Sequence, residues 1–229
     1  MKEENFFDRL LLLPLFQGMS RTDFLEVAER VKLNFQQRSK GNILVEQDDL
    51  CTGLYFVLKG EVEVRKVSDQ KDSELVEWIN MPMVLQPEAM FGLSTRYTRT
   101  FTANTPLQLL RVEKDVVRDI LFDYSTFRIN YLNLVSYRVQ QANRLLWRNL
   151  PPFLETRFIH YLNAHCLRPA GRKELKIGMV ALSERLLATR LNVSKMLNKL
   201  EEKQLIELYR GRILIPCMEK LLMQSHIHS

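Results

Sequence analysis

The sequence has few cysteines, and their placement argues against the sites that cysteine usually builds. Cys51, Cys166 and Cys217 lie far apart, with no CxxC pair and no histidine at ligand spacing. A disulfide framework, a zinc site and an iron–sulfur cluster all need cysteine or histidine ligands at characteristic spacings. We therefore expect three structural thiols and no metal site.

Long apolar runs and catalytic signatures are also missing. The apolar stretch at residues 6–16 is interrupted by Asp8, Arg9 and Pro14, so it forms neither a secretory signal core nor a membrane span. The chain contains no P-loop, GxSxG or HExxH motif. We expect a cytoplasmic protein that has no membrane contact and is not an enzyme.

Positive charge is present, and it is concentrated in one part of the chain. Residues 1–148 hold 20 Lys and Arg and 20 Asp and Glu, whereas residues 149–229 hold 13 and 7, so the net charge of +6 arises in the last third. Such asymmetry favours a polyanionic partner for this segment. A solvated basic surface is the alternative that charge alone leaves open.

Hydrophobic periodicity predicts an α+β fold. Residues 5–31 fit two short helices, and the segments 42–45, 53–60, 61–65, 74–79 and 107–112 read as strands of a β-barrel or β-roll. From residue 115 the pattern stays helical until Pro151 and Pro152. The predicted domains are an N-terminal β-roll sensor domain at 1–114, a long dimerisation helix at 115–150 and a C-terminal winged helix at 151–229.

The long helical segment carries two apolar stripes. One can cover the β domain and the other can meet a partner helix in a homodimer. The alternative is that both stripes pack inside one subunit. The first stripe is Leu132, Val135, Val139, Ala142 and Leu146, and the second is Ile120, Phe127, Tyr131 and Leu134.

The last third holds a pattern typical of a winged helix-turn-helix, at about residues 176–216. Residues 177–187 and 190–202 form two helical patterns around a short polar break, with Thr189 placed to cap the second helix. Arginine and lysine donate to guanine or phosphate and asparagine pairs with adenine, which predicts binding to double-stranded DNA. A glycine turn between two apolar strands then predicts a wing. The predicted DNA-binding residues are Thr189, Arg190, Asn192, Ser194, Lys195, Lys199, Arg210 and Arg212.

These segments, together with residues 41–48 and 54–64, resemble the Crp/Fnr family of transcription regulators over nearly the whole chain. The resemblance implies a cyclic-nucleotide-binding-like β-roll, a homodimer on a near-palindromic operator and contact with RNA polymerase. By the same likeness Arg190 and Lys195 are base-contacting residues and Thr189 contacts phosphate. Leu191 replaces an acidic base reader that is usual in the family, so the family's consensus operator is not expected here.

The sensor segment departs from the family's phosphate-binding cassette. Where the family has a Gly-Glu pair this chain has Gln86 and Pro87, and Tyr97 stands where an arginine is expected. A cyclic phosphate needs backbone N–H donors and a fixed cation, but Pro87 has no N–H and the arginine is missing. We therefore expect that the chain binds no cyclic AMP and no cofactor. Another small effector, or none, stays open, and Arg96 and Arg99 are read as solvated loop arginines. The candidate pocket residues are Gln86, Glu88, Arg96, Tyr97, Thr98 and Arg99.

The sequence therefore predicts a bacterial, sequence-specific, DNA-binding transcription regulator. The competing hypothesis is a ligand-binding β-roll module that regulates a partner protein. That hypothesis accounts for the β-roll but not for Arg190, Lys195 and the two wing arginines together.

Overall fold

The computed structural model describes residues 10–31, 33–146 and 149–226. These form two compact units: the first combines residues up to 62 with 80–143, and the second combines 63–79 with the chain from 144 onward. Residues 63–79, which the sequence places in the β-roll, thus belong to the same unit as the winged helix. The domain boundaries given above stay predictions.

The elements follow one another along the chain in a β-rich half and a helix-rich half. The strands are β1 (Asn34–Arg38), β2 (Ile43–Val45), β3 (Gly53–Lys59), β4 (Val62–Val67), β5 (Ser73–Ile79), β6 (Met83–Val84), β7 (Thr100–Ala103), β8 (Leu107–Glu113), β9 (Lys173–Ile177), β10 (Glu207–Tyr209) and β11 (Arg212–Ile215). The helices are α1 (Arg21–Arg30), α2 (Lys114–Asp119), α3 (Ser125–Leu146), α4 (Leu154–His165), α5 (Met179–Arg185), α6 (Arg190–Glu202) and α7 (Met218–His226). Short 3-10 turns lie at Pro14–Phe16, Pro87–Ala89 and Leu121–Asp123.

The first unit is built on antiparallel strands. One sheet has the order β1-β8-β3-β6, and β2 pairs with β7. The Phe16 ring lies 5.2 to 5.6 Å from the rings of Phe24, Phe56 and Phe127, so α1, β3 and α3 share one aromatic core. The β-roll is confirmed and every predicted strand is present, although the strand at 74–79 belongs to the second unit. Strands β1, β6 and β7 were missed; the sequence of β1, NFQQR, is mostly polar.

Gly60 is required at the turn between β3 and β4. Its φ is +101°, and a Cβ there would meet the Pro106 carbonyl oxygen at 2.5 Å and a Leu107 methyl at 2.6 Å. Any other residue would therefore strain the backbone and displace the neighbouring loop.

The prediction of one uninterrupted helix from residue 115 is wrong at residues 120–124. Helix α2 ends at Asp119, a 3-10 turn follows, and α3 begins at Ser125. The turn lets Leu121 become buried and brings the Phe122 ring within 5.2 Å of the Tyr131 ring. The segment Asp-Tyr-Ser-Thr at 123–126 carries residues that favour helix starts, a signal that the apolar periodicity concealed. Residues 147–148 lie outside the described part of the chain.

The two predicted N-terminal helices are tested only in part. Helix α1 is present, and the Ser20 hydroxyl accepts the Asp23 N–H at 3.0 Å as its N-cap. The other predicted helix falls largely on residues 1–9, which are outside the described residues.

The second unit joins a β-hairpin from the middle of the chain to the C-terminal helices. Its strands follow the order β10-β11-β9-β5-β4, with Ser73 opposite Ile177 and Glu77 opposite Lys173. The apolar core brings together Phe158, Ile159, Val193, Leu200 and Ile215, all fully buried. Strand β9 was missed, because its sequence KELKI follows directly on a turn-rich loop.

A buried ion pair holds the hairpin to this unit. The Lys173 ammonium lies 3.0 Å from the Glu77 carboxylate, and the two side chains are 1% and 0% exposed. The same carboxylate accepts the N–H groups of Leu167 at 2.6 Å and Arg168 at 3.2 Å, and Lys173 also donates to the Ala170 carbonyl. Each buried charge therefore has several partners, as buried charges require.

Candidate nucleic-acid interface

Helices α5 and α6 form the predicted helix-turn-helix, and α6 has the bounds that the sequence predicts. The Thr189 hydroxyl accepts the Asn192 N–H at 3.3 Å and caps α6. Apolar side chains at helical spacing bury one face of α6 in the core of the second unit. These buried residues are Val193, Met196, Leu197 and Leu200, the four that the sequence assigns to the inner face.

The turn between these helices contains a non-glycine residue in the left-handed region. Leu187 has φ +50°, and its side chain is 69% exposed. The Arg157 guanidinium donates to the carbonyl oxygens of Leu186 and Leu187, both at 3.3 Å, and so holds the turn to α4. Sequence reasoning missed Arg157, because its contact joins residues 30 positions apart.

The outward face of α6 carries the side chains that the sequence predicts for DNA contact. Arg190, Asn192 and Lys195 are exposed, and Ser194 is half-buried. Among the described residues none gives the Arg190 or Lys195 side chain a hydrogen bond or an ion pair. Their donors are therefore available to phosphates and base edges.

Lys199 lies further along the same helix and has a partner. Its ammonium is 3.7 Å from the carboxylate of Glu155 in α4, which also pairs with Lys203 at 3.3 Å. Because the Lys199 side chain is exposed, this pair is weak and competes with a phosphate for the same ammonium. The predicted phosphate contact thus stays a prediction, with a defined competitor.

The wing is the hairpin of β10 and β11, with Tyr209 opposite Arg212. Gly211, at φ +74°, closes the turn. Arg210 is exposed at the tip, while the Arg212 guanidinium lies 4.5 Å from the Tyr209 ring and 4.0 Å from Glu174. The two predicted wing cations therefore differ: Arg210 faces solvent and Arg212 is held against the sheet.

Two other basic residues of this unit are neutralised by the β4–β5 hairpin. Arg185 pairs with Asp72 at 3.0 Å, and Lys176 pairs with Glu74 at 3.0 Å. The Asp72 carboxyl has a pKa below its usual range, mainly because it accepts a hydrogen bond from Ser68 and to a smaller extent because it accepts one from Arg185. These pairs neutralise Arg185 and Lys176 but leave Arg190, Lys195 and Arg210 exposed.

The predicted effector residues in the first unit bond mostly to one another. The Gln86 side chain is buried, donates to the Thr98 hydroxyl at 2.7 Å and accepts the Thr98 N–H at 3.0 Å. Glu88 forms an ion pair with Arg138 of α3, and the Tyr131 hydroxyl donates to the Pro87 carbonyl at 2.7 Å. The structure thus brings Gln86, Glu88 and Thr98 into one neighbourhood. Gln86 and Thr98 bond each other, whereas one Glu88 carboxylate oxygen is buried without a hydrogen-bond partner among the described residues.

Tyr97 is buried and also engaged. Its hydroxyl donates to the Gly53 carbonyl at 3.1 Å and contacts the Cys51 thiol at 3.3 Å. Burial and the hydrogen bond with Cys51 raise the pKa of Tyr97 well above its ordinary value. Because a tyrosine side chain has no cationic form, Tyr97 supplies no cation where the family's arginine would stand.

The two arginines beside Tyr97 behave differently. Arg96 is exposed and donates to the Asp48 carbonyl at 2.6 Å. The prediction of a solvated arginine is wrong for Arg99, which is buried. The physical reason is the alternation that leads into β7: Tyr97, Arg99 and Phe101 all face inward, while Thr98 faces out.

Metal ligands and membrane-spanning helices would indicate other kinds of site. No group of three or more His, Cys, Asp or Glu side chains there could hold a metal ion. Within the same residues, no helix is both long and apolar enough to cross a bilayer.

Two family models match the chain, one in each half. The model of the cyclic nucleotide-binding domain matches residues 35–124, and the model of the Crp-like helix-turn-helix domain matches residues 156–223. A global nitrogen regulator from Synechococcus elongatus is 22% identical over 199 residues, which cover 81% of this chain and 87% of that protein. The global nitrogen regulator of a Nostoc species is 23% identical over 181 residues, or 73% and 78% of the two chains.

Solved structures agree on the fold. The catabolite activator protein of Thermus thermophilus superposes with a TM-score of 0.53 at 18% identity, covering 94% of this chain and all of that one. The sensor domain of the transcriptional regulator DNR from Pseudomonas aeruginosa superposes with a TM-score of 0.50 at 21% identity, covering 61% of this chain and 93% of that one. At these identities the likeness establishes the fold alone.

Proposed function

Because the chain belongs to the Crp/Fnr family of transcription regulators, we propose that it binds a near-palindromic operator as a homodimer and needs no cyclic AMP. The chain is a DNA-binding transcription regulator. The outward face of α6 carries the proposal, because Arg190 and Lys195 stand exposed there with no partner among the described residues. The protein acts by binding rather than by catalysis, and contact with RNA polymerase stays a prediction.

The homodimer is supported by the two faces of α3. Phe127 and Tyr131 are buried in the first unit, whereas Leu132 and Val139 are 54% exposed in the isolated chain. An exposed apolar stripe on a 22-residue helix is typical of a helix–helix interface. Two copies joined this way would set two recognition helices about 34 Å apart, one per half-site.

Size-exclusion chromatography with light scattering tests the homodimer. Leu132→Glu places a charge in the proposed interface, so we expect a monomer that has lost specific DNA affinity. Asn133→Glu changes an exposed neighbour on the same helix and should remain dimeric. A monomeric parent protein would contradict the homodimer.

Gel-shift titration of genomic fragments tests DNA binding against the competing hypothesis of a partner-protein module. We expect the affinity for DNA to fall steeply between 50 and 200 mM salt, because a protein with six or more phosphate contacts loses roughly a thousandfold in affinity over that range. An affinity that does not change with salt would count against the basic third as the DNA face.

The sensor segment supports independence of cyclic AMP. There Gln86 bonds Thr98, and Tyr97 stands where the family's phosphate-binding cassette has an arginine. In a thermal melt, millimolar cyclic AMP should leave the melting temperature of each unit unchanged. Operator affinity should be the same with and without the nucleotide. A rise in melting temperature that saturates with nucleotide would refute this part of the proposal.

A further inference from the structure

Leu191 occupies the outermost position of the recognition helix α6. Successive helical residues are separated by about 100°, so the buried residues Val193, Met196, Leu197 and Leu200 centre about 190° away from Leu191. Leu191 therefore points directly away from the core, and its side chain is 64% exposed.

The position of Leu191 along the helix matters as much as its direction. It is the second residue of α6, directly after Arg190 and two residues after the Thr189 cap. In helix-turn-helix proteins the N-terminal residues of the recognition helix reach the base edges of the major groove. Leu191 thus lies on the part of α6 that comes nearest to the bases.

The chemistry of leucine restricts what it can read there. Its side chain neither donates nor accepts a hydrogen bond, so it cannot pair with guanine, adenine or the cytosine amino group. The one apolar feature that a base pair presents in the major groove is the C5-methyl group of thymine. A cytosine at the same position would offer an amino donor that Leu191 leaves without an acceptor.

We propose that Leu191 is a specificity-determining residue that contacts a thymine methyl group once in each half-site. This inference rests on the proposed function, since it requires α6 to enter the major groove. Arg190 and Lys195 beside it supply the polar and electrostatic contacts, and Leu191 sets the base at one position.

The experiment begins with selection of bound sequences from random duplexes by the parent protein. We expect one symmetric T·A position per half-site that is lost when selection is repeated with Leu191→Ala. Leu191→Glu should instead select C·G at that position, because a carboxylate accepts from the cytosine amino group. Leu187→Ala removes an equally exposed leucine from the same motif and should select the parent sequence.

Replacing that thymine by deoxyuridine removes only the methyl group. For each half-site we expect the affinity of the parent protein to fall about fourfold, which corresponds to about 0.8 kcal/mol for one buried methyl. Leu191→Ala should bind the thymine and uracil duplexes equally, while Leu191→Met, which keeps an apolar tip, should retain the difference.

The two possible failures are distinct. If no sequence is selected at all, the proposed function is wrong. If a sequence is selected but the parent protein binds thymine and uracil duplexes equally at every position, DNA binding stands and the role of Leu191 is overturned. An unchanged selected sequence for Leu191→Ala would overturn it as well.

Discussion

The recognition face and the sensor segment treat their polar groups in opposite ways. On α6, Arg190 and Lys195 are exposed and meet no partner in the described chain, whereas in the sensor segment Gln86 bonds Thr98 and Glu88 pairs with Arg138. A surface that binds an external polyanion keeps its donors available, since an internal partner would compete for them. A segment whose hydrogen-bond donors are engaged internally offers a small anion little in return for breaking those bonds.

The largest effect that would sharpen this comparison concerns a polar cluster inside the DNA-binding unit itself. Glu77→Ala removes one partner of the buried pair and leaves the Lys173 ammonium uncompensated, so we expect a loss of about 3–5 kcal/mol in the free energy of unfolding. Urea titration measures it. Glu74→Ala, which breaks partly exposed pairs with Lys176 and Arg65, should cost about 1 kcal/mol or less. Equal losses of unfolding free energy in the two variants would contradict the distinction between the buried and the partly exposed ion pairs.

The next effect tests the recognition face directly. Arg190→Ala should weaken binding to the selected operator by about 1–3 kcal/mol, because a guanidinium contact to a base or phosphate is lost. Fluorescence anisotropy with labelled duplex measures the change. Arg96→Ala removes an exposed arginine from the sensor segment and should bind the operator as the parent does. Equal affinity of Arg190→Ala and the parent would remove Arg190 as a reader.

A third change perturbs the sensor segment. Gln86→Ala leaves the Thr98 N–H without its acceptor and should lower the free energy of unfolding by about 1 kcal/mol, near the lower end of the cost of an unpaired donor because Thr98 is exposed. Operator affinity should not change. A marked change in affinity would show that this segment controls the recognition face and would break the contrast between the two regions.

The smallest effect is a gain. Leu187→Gly relieves a left-handed backbone conformation, and because the leucine side chain is mostly exposed little packing is lost. After the greater chain entropy of glycine in the unfolded state is subtracted, we expect a net stabilisation of about 0.5 kcal/mol. Thermal unfolding of Leu187→Gly is compared with that of Leu187→Ala, which loses the leucine side chain but keeps the strained backbone. The comparison separates relief of backbone strain from loss of packing.

Local patterns predicted most of the fold and much of the candidate interface. Helix α6 follows from its apolar spacing and its Thr189 cap, and the strands of the β-roll follow from their alternation. Strand β9 was hidden by the loop before it, and the break before Ser125 was hidden by an apolar pattern that continues through it. Contacts between distant residues, such as Arg157 with Leu187 and Glu77 with Lys173, leave no local signal and needed the structure.

The pairing of β5 with β9 determines what a truncated chain would do. A polypeptide that starts at residue 144 lacks the hairpin, so it would expose the backbone donors and acceptors of β9 along an open sheet edge. It would also bury Lys173 without its carboxylate, or be forced to unfold around it. Such a fragment should self-associate through that edge, whereas adding a peptide of residues 63–79 should restore a soluble, folded unit.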